Sequence, residues 1–265
     1  MRKNAAYILI ALAIILLFVW GSDRQGSLVN TNMRSTDQSA YMDYAKELAR
    51  SNLQHVGDRN RMPIYPGLMS FFYKSVMSNK EYFQLGKEIG IAIALLVSLE
   101  SFLLFRQVST NLDASVATLV TMFTVLVYKA AYFQAEVLFY GINLLLFYLL
   151  LSLIRKPQIG TAALAGITVG IGHLTKASIL PALLLAGLLV ILRGTDILWG
   201  DHQATKSPFS PSDKVRHLLT HLGYAAILLI CFLVVVFPYI RTSKEHFGHY
   251  FYNVNSTFYI WYDSW

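Results

Sequence analysis

The chain has 265 residues, 55% of them hydrophobic and 14% charged, with a mean hydropathy of +0.47. A soluble domain carries about a quarter of its residues as charges, so the composition excludes one and specifies a polytopic membrane protein. The net charge of +7 is mostly a matter of topology rather than a nucleic-acid signal, and the single cysteine, Cys231, excludes an internal disulfide and a cysteine-rich metal site; it suits a small core hydrophobe.

The first element is the uncharged stretch 4–22, which follows Arg2 and Lys3 and is long enough to cross an apolar core of roughly 30 Å. Its end, Val19-Trp20-Gly21-Ser22, lacks a small-x-small cleavage site, which makes it an uncleaved helix and not a signal peptide. A long loop, 23–87, follows. In it Ser35 or Thr36 can cap a helix running toward Leu53, with Asp37, Tyr41, Tyr44 and Leu48 along one stripe. Such a helix is expected to lie on the membrane surface, apolar side down, with Asp37 in its first turn near the positive end of the dipole. Asp37 then either supports the helix start or serves a site. Further on, the two prolines of Arg61-Met62-Pro63-Ile64-Tyr65-Pro66 favour an extended segment, and 68–76 is aromatic and apolar enough for a second interfacial helix.

Six more apolar segments follow, at 89–105, 114–128, 137–154, 160–175, 177–192 and 217–240. The expected fold is therefore an all-α membrane protein of about seven transmembrane helices, with a long first external loop carrying interfacial helices and one transmembrane domain over 1–265. Arg2, Lys3, Arg106, Arg155, Lys156, Arg193, Lys206, Lys214 and Arg216 fall on one side of the spans, while the short connections opposite carry only Lys129 and Lys176. The positive-inside rule then puts the N-terminus in the cytoplasm. The 193–216 connection, with Gly194, Gly200, Pro208 and Pro211, reads as an irregular loop, and no glycine-rich phosphate loop occurs anywhere to support ATP-driven transport.

The remaining charges collect at the external ends of the spans. Lys129 and Glu136 stand on either side of one external connection; charges at membrane depth are functional candidates by default, although the two could equally pair with each other or Lys129 could snorkel. Lys176, within Leu174-Thr175-Lys176-Ala177-Ser178, sits in a hairpin too tight to lift its ammonium far from the headgroups, where an anionic group is an attractive partner. His173, one turn earlier, suits a packed, hydrogen-bonded role. Arg241, after Phe237-Pro238-Tyr239-Ile240, offers a planar fork suited to phosphate, or an interfacial anchor. Glu100 lies apart, toward the cytoplasmic half of its span, where a hydrogen bond to another helix accounts for it, and Gly166 and Gly170 form a small-xxx-small pattern for close helix packing. Asn255-Ser256-Thr257 matches an N-glycosylation acceptor, relevant only in a eukaryotic secretory membrane.

In order and spacing, Asp37 and Tyr41 at the loop start, Pro63-Ile64-Tyr65-Pro66, Ala135-Glu136, Leu174-Thr175-Lys176 and Pro238-Tyr239 before Arg241 resemble the GT-C superfamily of integral-membrane glycosyltransferases. The likeness is to its protein O-mannosyltransferase and lipid A aminoarabinose transferase group. The resemblance implies transfer of a sugar from a polyprenyl-phosphate carrier to an acceptor hydroxyl on a glycan, lipid or protein at the external face. It assigns the catalytic acid or base to Asp37, a second acidic role to Glu136, the donor phosphate to Lys176 and Arg241, and cavity or substrate contacts to Tyr41, Arg61 and Tyr65. Cofactors are left open, a divalent cation among them. The chain departs from the family at Gln38, where an Asp-Glu pair is common, and at Tyr239, where Trp is usual. Family members also commonly continue through further spans, which implies a short form, an N-terminal portion, or a missing half supplied by another protein.

The chemistry matches these residue types. A carboxylate within hydrogen-bond reach can take the acceptor hydroxyl's proton, a step worth about 10² to 10⁴ in rate, and fixed cations stabilise a departing phosphate. Two rivals from other classes are a transporter or flippase subunit, which should show paired inverted repeats that the sequence lacks, and a noncatalytic membrane scaffold whose external loop binds a partner. The compact spans and the scarcity of cysteine favour a bacterial inner membrane.

Overall fold

The structure is a computed structural model that describes residues 2–57, 59–194 and 211–252, with side chains from residue 7 in the first stretch and from residue 215 in the last. Most of the 193–216 connection, with Gly200, Lys206 and Pro208, the side chains of Arg2, Lys3 and Lys214, the Asn255-Ser256-Thr257 acceptor pattern and Trp265 lie outside the described residues. Among the described residues the protein is all-helical, without a strand, and six helical segments are long and apolar enough to cross a membrane. It is a multi-pass membrane protein.

The elements are α1 (Arg2–Leu28), α2 (Gln38–Arg50), α3 (Ile64–Ser70), α4 (Asn79–Phe105), α5 (Asn111–Thr121), α6 (Val127–Lys129), α7 (Glu136–Arg155), α8 (Ile159–Thr175), α9 (Leu180–Gly194) and α10 (Pro211–Phe247). A π-helical turn, Met122–Leu126, joins α5 to α6 into a single 19-residue span. The 17 residues of α8 reach about 25 Å at 1.5 Å per residue, close to the shortest helix that crosses a bilayer.

The helices overrun the apolar segments that mark them. α1 continues to Leu28, α10 to Phe247, and α4 starts at Asn79, ten residues before its apolar run begins at 89. At the start of α4 a cap sets the end, and hydrophobicity does not. Ser78 accepts a hydrogen bond from the Glu81 N–H while the Glu81 carboxylate accepts from the Ser78 N–H, a reciprocal capping box that fixes the start of α4.

The chain divides into two compact units, Met1–Gly141 and Ile142–Trp265. In the first, α1, α4 and the α5–α6 span enclose a core of Phe18, Ile91, Ala94, Val97, Met122 and Leu126. The connection 130–135 is drawn into this bundle and is itself buried at Ala130, Ala131, Phe133 and Ala135. Glycines make the room. A Cβ on Gly26 would stand 2.5 Å from that of Ala131, one on Gly90 would collide with the Ala130 carbonyl, and one on Gly86 with the Phe133 ring.

The loop between α1 and α4 folds as a cap with a core of its own. Tyr41, Met42 and Ala45 of α2 pack with Tyr65 and Met69 of α3 around Tyr82 and Phe133. This corrects the expectation of helices lying apolar side down on the lipid. α2 also stops before Leu53, because Asn52 and Leu53 turn into the left-handed region at φ 53° and 67°. Neither Ser35 nor Thr36 caps it. The Ser35 hydroxyl donates to the Asn32 carbonyl, Thr36 has φ 57° with its hydroxyl held by Gln134, and Asp37 occupies the cap position without a side-chain cap bond.

The segment 61–66 is not extended throughout, nor does the second helix run over 68–76. Pro63 precedes a helix that begins at Ile64 and includes Pro66 as its third residue. First-turn N–H groups have no intrahelical acceptor, so a proline there removes nothing the helix uses. α3 ends at Ser70, leaving Phe71 and Val76 exposed at 73% and 88%.

In the second unit α10 packs along both α8 and α9. Gly166 and Gly170 provide the close approach to α10: a Cβ on Gly166 would meet Cys231 at 2.9 Å, and one on Gly170 would meet Val235 at 2.7 Å.

Candidate functional site

The external loop brings five of the sequence-predicted residues together in the first unit. Asp37 precedes α2, Arg61 precedes α3, and the two form an ion pair between Arg61 Nη2 and Asp37 Oδ1. The guanidinium is the more enclosed partner, its side chain 15% exposed against 56% for the carboxylate. The same guanidinium lies 5.7 Å from the centre of the Tyr41 ring, a cation–π contact. Tyr41 packs edge to face on Tyr65 with ring centres 5.4 Å apart, and Tyr65 on Phe133 at 5.8 Å.

Glu136, the first residue of α7, completes the group: its charge acts on both tyrosines. Burial raises the Tyr41 phenol above its ordinary value, the nearby carboxylates of Glu136 and Asp37 add to the rise, and Arg61 opposes it. Burial likewise holds the Tyr65 phenol well above its usual range, reinforced by Tyr82, Tyr41 and Glu136. Both phenols therefore remain protonated at neutral pH and act as hydroxyls. Asp37 and Glu136 are the site's carboxyl groups, and Arg61 its guanidinium.

Sequence reasoning missed what holds the site in place. Gln38 is fully buried, and its amide is saturated with protein partners. Its Nε2 donates to Asn30 Oδ1 at 2.7 Å and to the Ser35 carbonyl at 3.2 Å, while its Oε1 accepts from Asn30 Nδ2 at 2.8 Å and from the Phe133 N–H at 2.9 Å. Asn30 donates in addition to the Ala131 carbonyl at 2.8 Å. One amide pair thus ties the end of α1, the start of α2 and the 130–135 connection. The signal for it was the departure itself, a neutral amide where the resemblance leads one to expect an acid.

Lys129 lies over the Tyr132 ring at 5.8 Å. Lys176 and Arg241 belong to the second unit. Lys176 follows α8 in extended conformation, half-buried, with its N–H bonded to the Gly172 carbonyl at 2.8 Å. Arg241 is exposed, and its Nε pairs with Glu245 at 2.9 Å along the helix. His173 is buried between the rings of Phe232 and Tyr239 at 6.0 and 6.4 Å. Glu100, in the first unit, packs its carboxylate against Gly141, where a Cβ would approach within 2.8 Å. Among the described residues no three His, Cys, Asp or Glu side chains converge in the way that a protein-held metal ion requires.

No family model matches this sequence, and neither the curated proteins nor the solved structures provide a match. The glycosyltransferase resemblance therefore rests on the residue pattern alone.

Proposed function

We propose that the protein transfers a sugar from a polyprenyl-phosphate-linked donor to an acceptor hydroxyl at the external face of the membrane, with Asp37 as general base. The observation that carries this reading is the state of the Asp37 carboxylate. Oδ1 is engaged by Arg61, whereas Oδ2 has no partner among the described residues and the side chain is half-exposed. A base needs an oriented carboxylate with one oxygen available to the proton it takes. Arg61 supplies the orientation, and the protonated Tyr41 and Tyr65 hydroxyls and Glu136 supply the polar surroundings.

In the proposed step the acceptor oxygen attacks the anomeric carbon as its proton passes to Asp37. The bond from that carbon to the phosphate oxygen breaks, and its electron pair leaves with the polyprenyl phosphate. Direct displacement of this kind inverts the anomeric centre. By the resemblance, Lys176 and Arg241 would stabilise the charge on the departing phosphate. The distribution of basic residues supports a cytoplasmic N-terminus, which places Asp37 outside, and a bacterial inner membrane is the proposed location.

The test is transfer of radiolabelled sugar from a mixed pool of polyprenyl-phosphate donors in proteoliposomes, wild type against Asp37→Asn. The expected result is a wild-type signal that falls by about 10² or more in the variant. Activity surviving in the variant discards Asp37. No transfer by folded wild-type protein discards the reaction.

A further inference from the structure

The cap carries a second polar feature, on the side of α2 turned away from Asp37. Ser39, Met42, Asp43 and Lys46 follow one another at i, i+3, i+4 and i+7, about half a turn around the helix from the Asp37–Tyr41 stripe. With Met33, Arg34 and Asn79 they line a cleft of about 170 Å³. That is well below the several hundred Å³ of a drug-sized pocket and suits a headgroup fragment.

The cleft's depth is set by its neighbours. Asn79 is the first residue of the membrane-spanning α4, and Met33 and Arg34 come shortly after the end of α1 at Leu28. The cleft therefore opens beyond the ends of two apolar runs, at 22 in α1 and 89 in α4, on the side where these spans leave the bilayer. Its charges are uneven. The Lys46 side chain is only 9% exposed; its Nζ donates to Asp43 Oδ1 at 3.0 Å and to Asn79 Oδ1 at 2.9 Å, and the third of its three N–H bonds has no partner among the described residues. Arg34 is exposed, and its guanidinium makes no hydrogen bond or ion pair among the described residues. Against these two cations stands one carboxylate, Asp43, itself 71% exposed and bonded to Lys46. The Ser39 hydroxyl adds a donor, and Met33 and Met42 supply pliable apolar walls.

We propose that this cleft binds a phosphate group, with the Arg34 fork and the free Lys46 N–H as its principal donors and the methionines against the group's apolar attachment. Arg34 is the recognition element because a guanidinium meets phosphate oxygens with two parallel hydrogen bonds. Lys46 is fixed in advance by Asp43 and Asn79, so little ordering is needed when the ligand arrives. This site lies apart from the Asp37 group and does not depend on the transfer reaction.

The experiment is native mass spectrometry of the full chain in detergent, titrated with phosphatidylglycerol or with diacylglycerol, which lacks the phosphate, and with inorganic phosphate as competitor. One phosphatidylglycerol should be retained, and Arg34→Gln should weaken its retention about tenfold, the effect of losing one charge-assisted pair. Arg34 is exposed, so this variant folds; Lys46→Met should lose retention too, and is scored only where its melting curve shows folded protein. Displacement by millimolar inorganic phosphate identifies the free anion as sufficient, and lack of displacement identifies a lipid-borne phosphate; both outcomes support the site. Equal retention of diacylglycerol, or unchanged retention in Arg34→Gln, overturns it.

Discussion

Gln38→Glu separates two accounts of the start of α2. If position 38 were a lapsed catalytic acid, glutamate there would be harmless or restorative. The structure argues the opposite. Gln38 Nε2 donates two hydrogen bonds, a buried one to Asn30 Oδ1 and a part-buried one to the Ser35 carbonyl, and glutamate puts an oxygen in its place. Two lost donations, at about 1 kcal/mol each, and two acceptors, one of them buried, now facing a third oxygen give a destabilisation of about 2 to 4 kcal/mol at neutral pH.

The loss should depend on pH in a defined direction. Burial raises the folded-state pKa of the new carboxyl above its unfolded value of about 4.3, because the protonated form can return one of the lost donations. The variant is then closest to wild type below about pH 4, and its deficit grows as pH rises toward the raised folded pKa. Thermal unfolding of detergent-purified protein at acidic and neutral pH, with Gln38→Met as an uncharged control of similar size, measures this. A Gln38→Glu protein that melts with wild type at neutral pH, or whose deficit is the same at every pH, would refute the clamp.

Gly86→Ala places a methyl inside the Phe133 ring and should cost about 1 to 3 kcal/mol of stability. Phe133→Leu in the same chain should recover part of that loss, which a double-mutant cycle by thermal melting detects. Tyr41 and Tyr65 should stay silent in a tyrosinate absorbance titration of the folded protein, so the Phe variants should titrate like wild type up to about pH 11. The sign follows from the raised folded pKa: the stability these phenols confer is complete below about pH 10 and is lost above it as the unfolded chain ionises. The double Phe variant should therefore lose less stability than wild type between about pH 9 and 11.

The membrane spans were legible because an apolar run long enough to cross a bilayer has few alternatives in lipid. Their ends were not, since α4 is started by the Ser78–Glu81 box and not by the onset of apolar residues. The cap was legible in content and wrong in form. Its aromatic and apolar residues suggested contact with lipid, yet the same residues are what a small protein core requires, and no periodicity reveals that Phe133, nearly a hundred residues on from α2, completes that core. The prolines misled for a related reason, since Pro63 and Pro66 fall at a helix entry, where proline is tolerated. Asp37, Arg61, Tyr41, Tyr65 and Glu136 could be picked out as chemically active types. Their juxtaposition depends on α2 and α3 folding against the 130–135 connection, a long-range fact.

The clamp bears directly on the proposed chemistry. Gln38 is the neighbour of Asp37 in the chain, and the N–H that its Oε1 accepts belongs to Phe133, three residues before Glu136. A single side-chain amide therefore fixes the spacing between the backbones that carry the site's two carboxylates. An ionised acid at position 38 could still accept from the Phe133 N–H and Asn30 Nδ2 but has no donor for Asn30 Oδ1 or the Ser35 carbonyl, so an Asp-Glu pair would keep this clamp only in part. Gln38 is on this argument a positioning residue for Asp37. If the transfer reaction is established, Gln38→Glu at a temperature where it remains folded should lower kcat and leave KM for the donor nearly unchanged, because the base is displaced while the donor contacts persist. A rise in KM alone would place Gln38 among the residues that bind substrate, and the amide would then have to open to solvent.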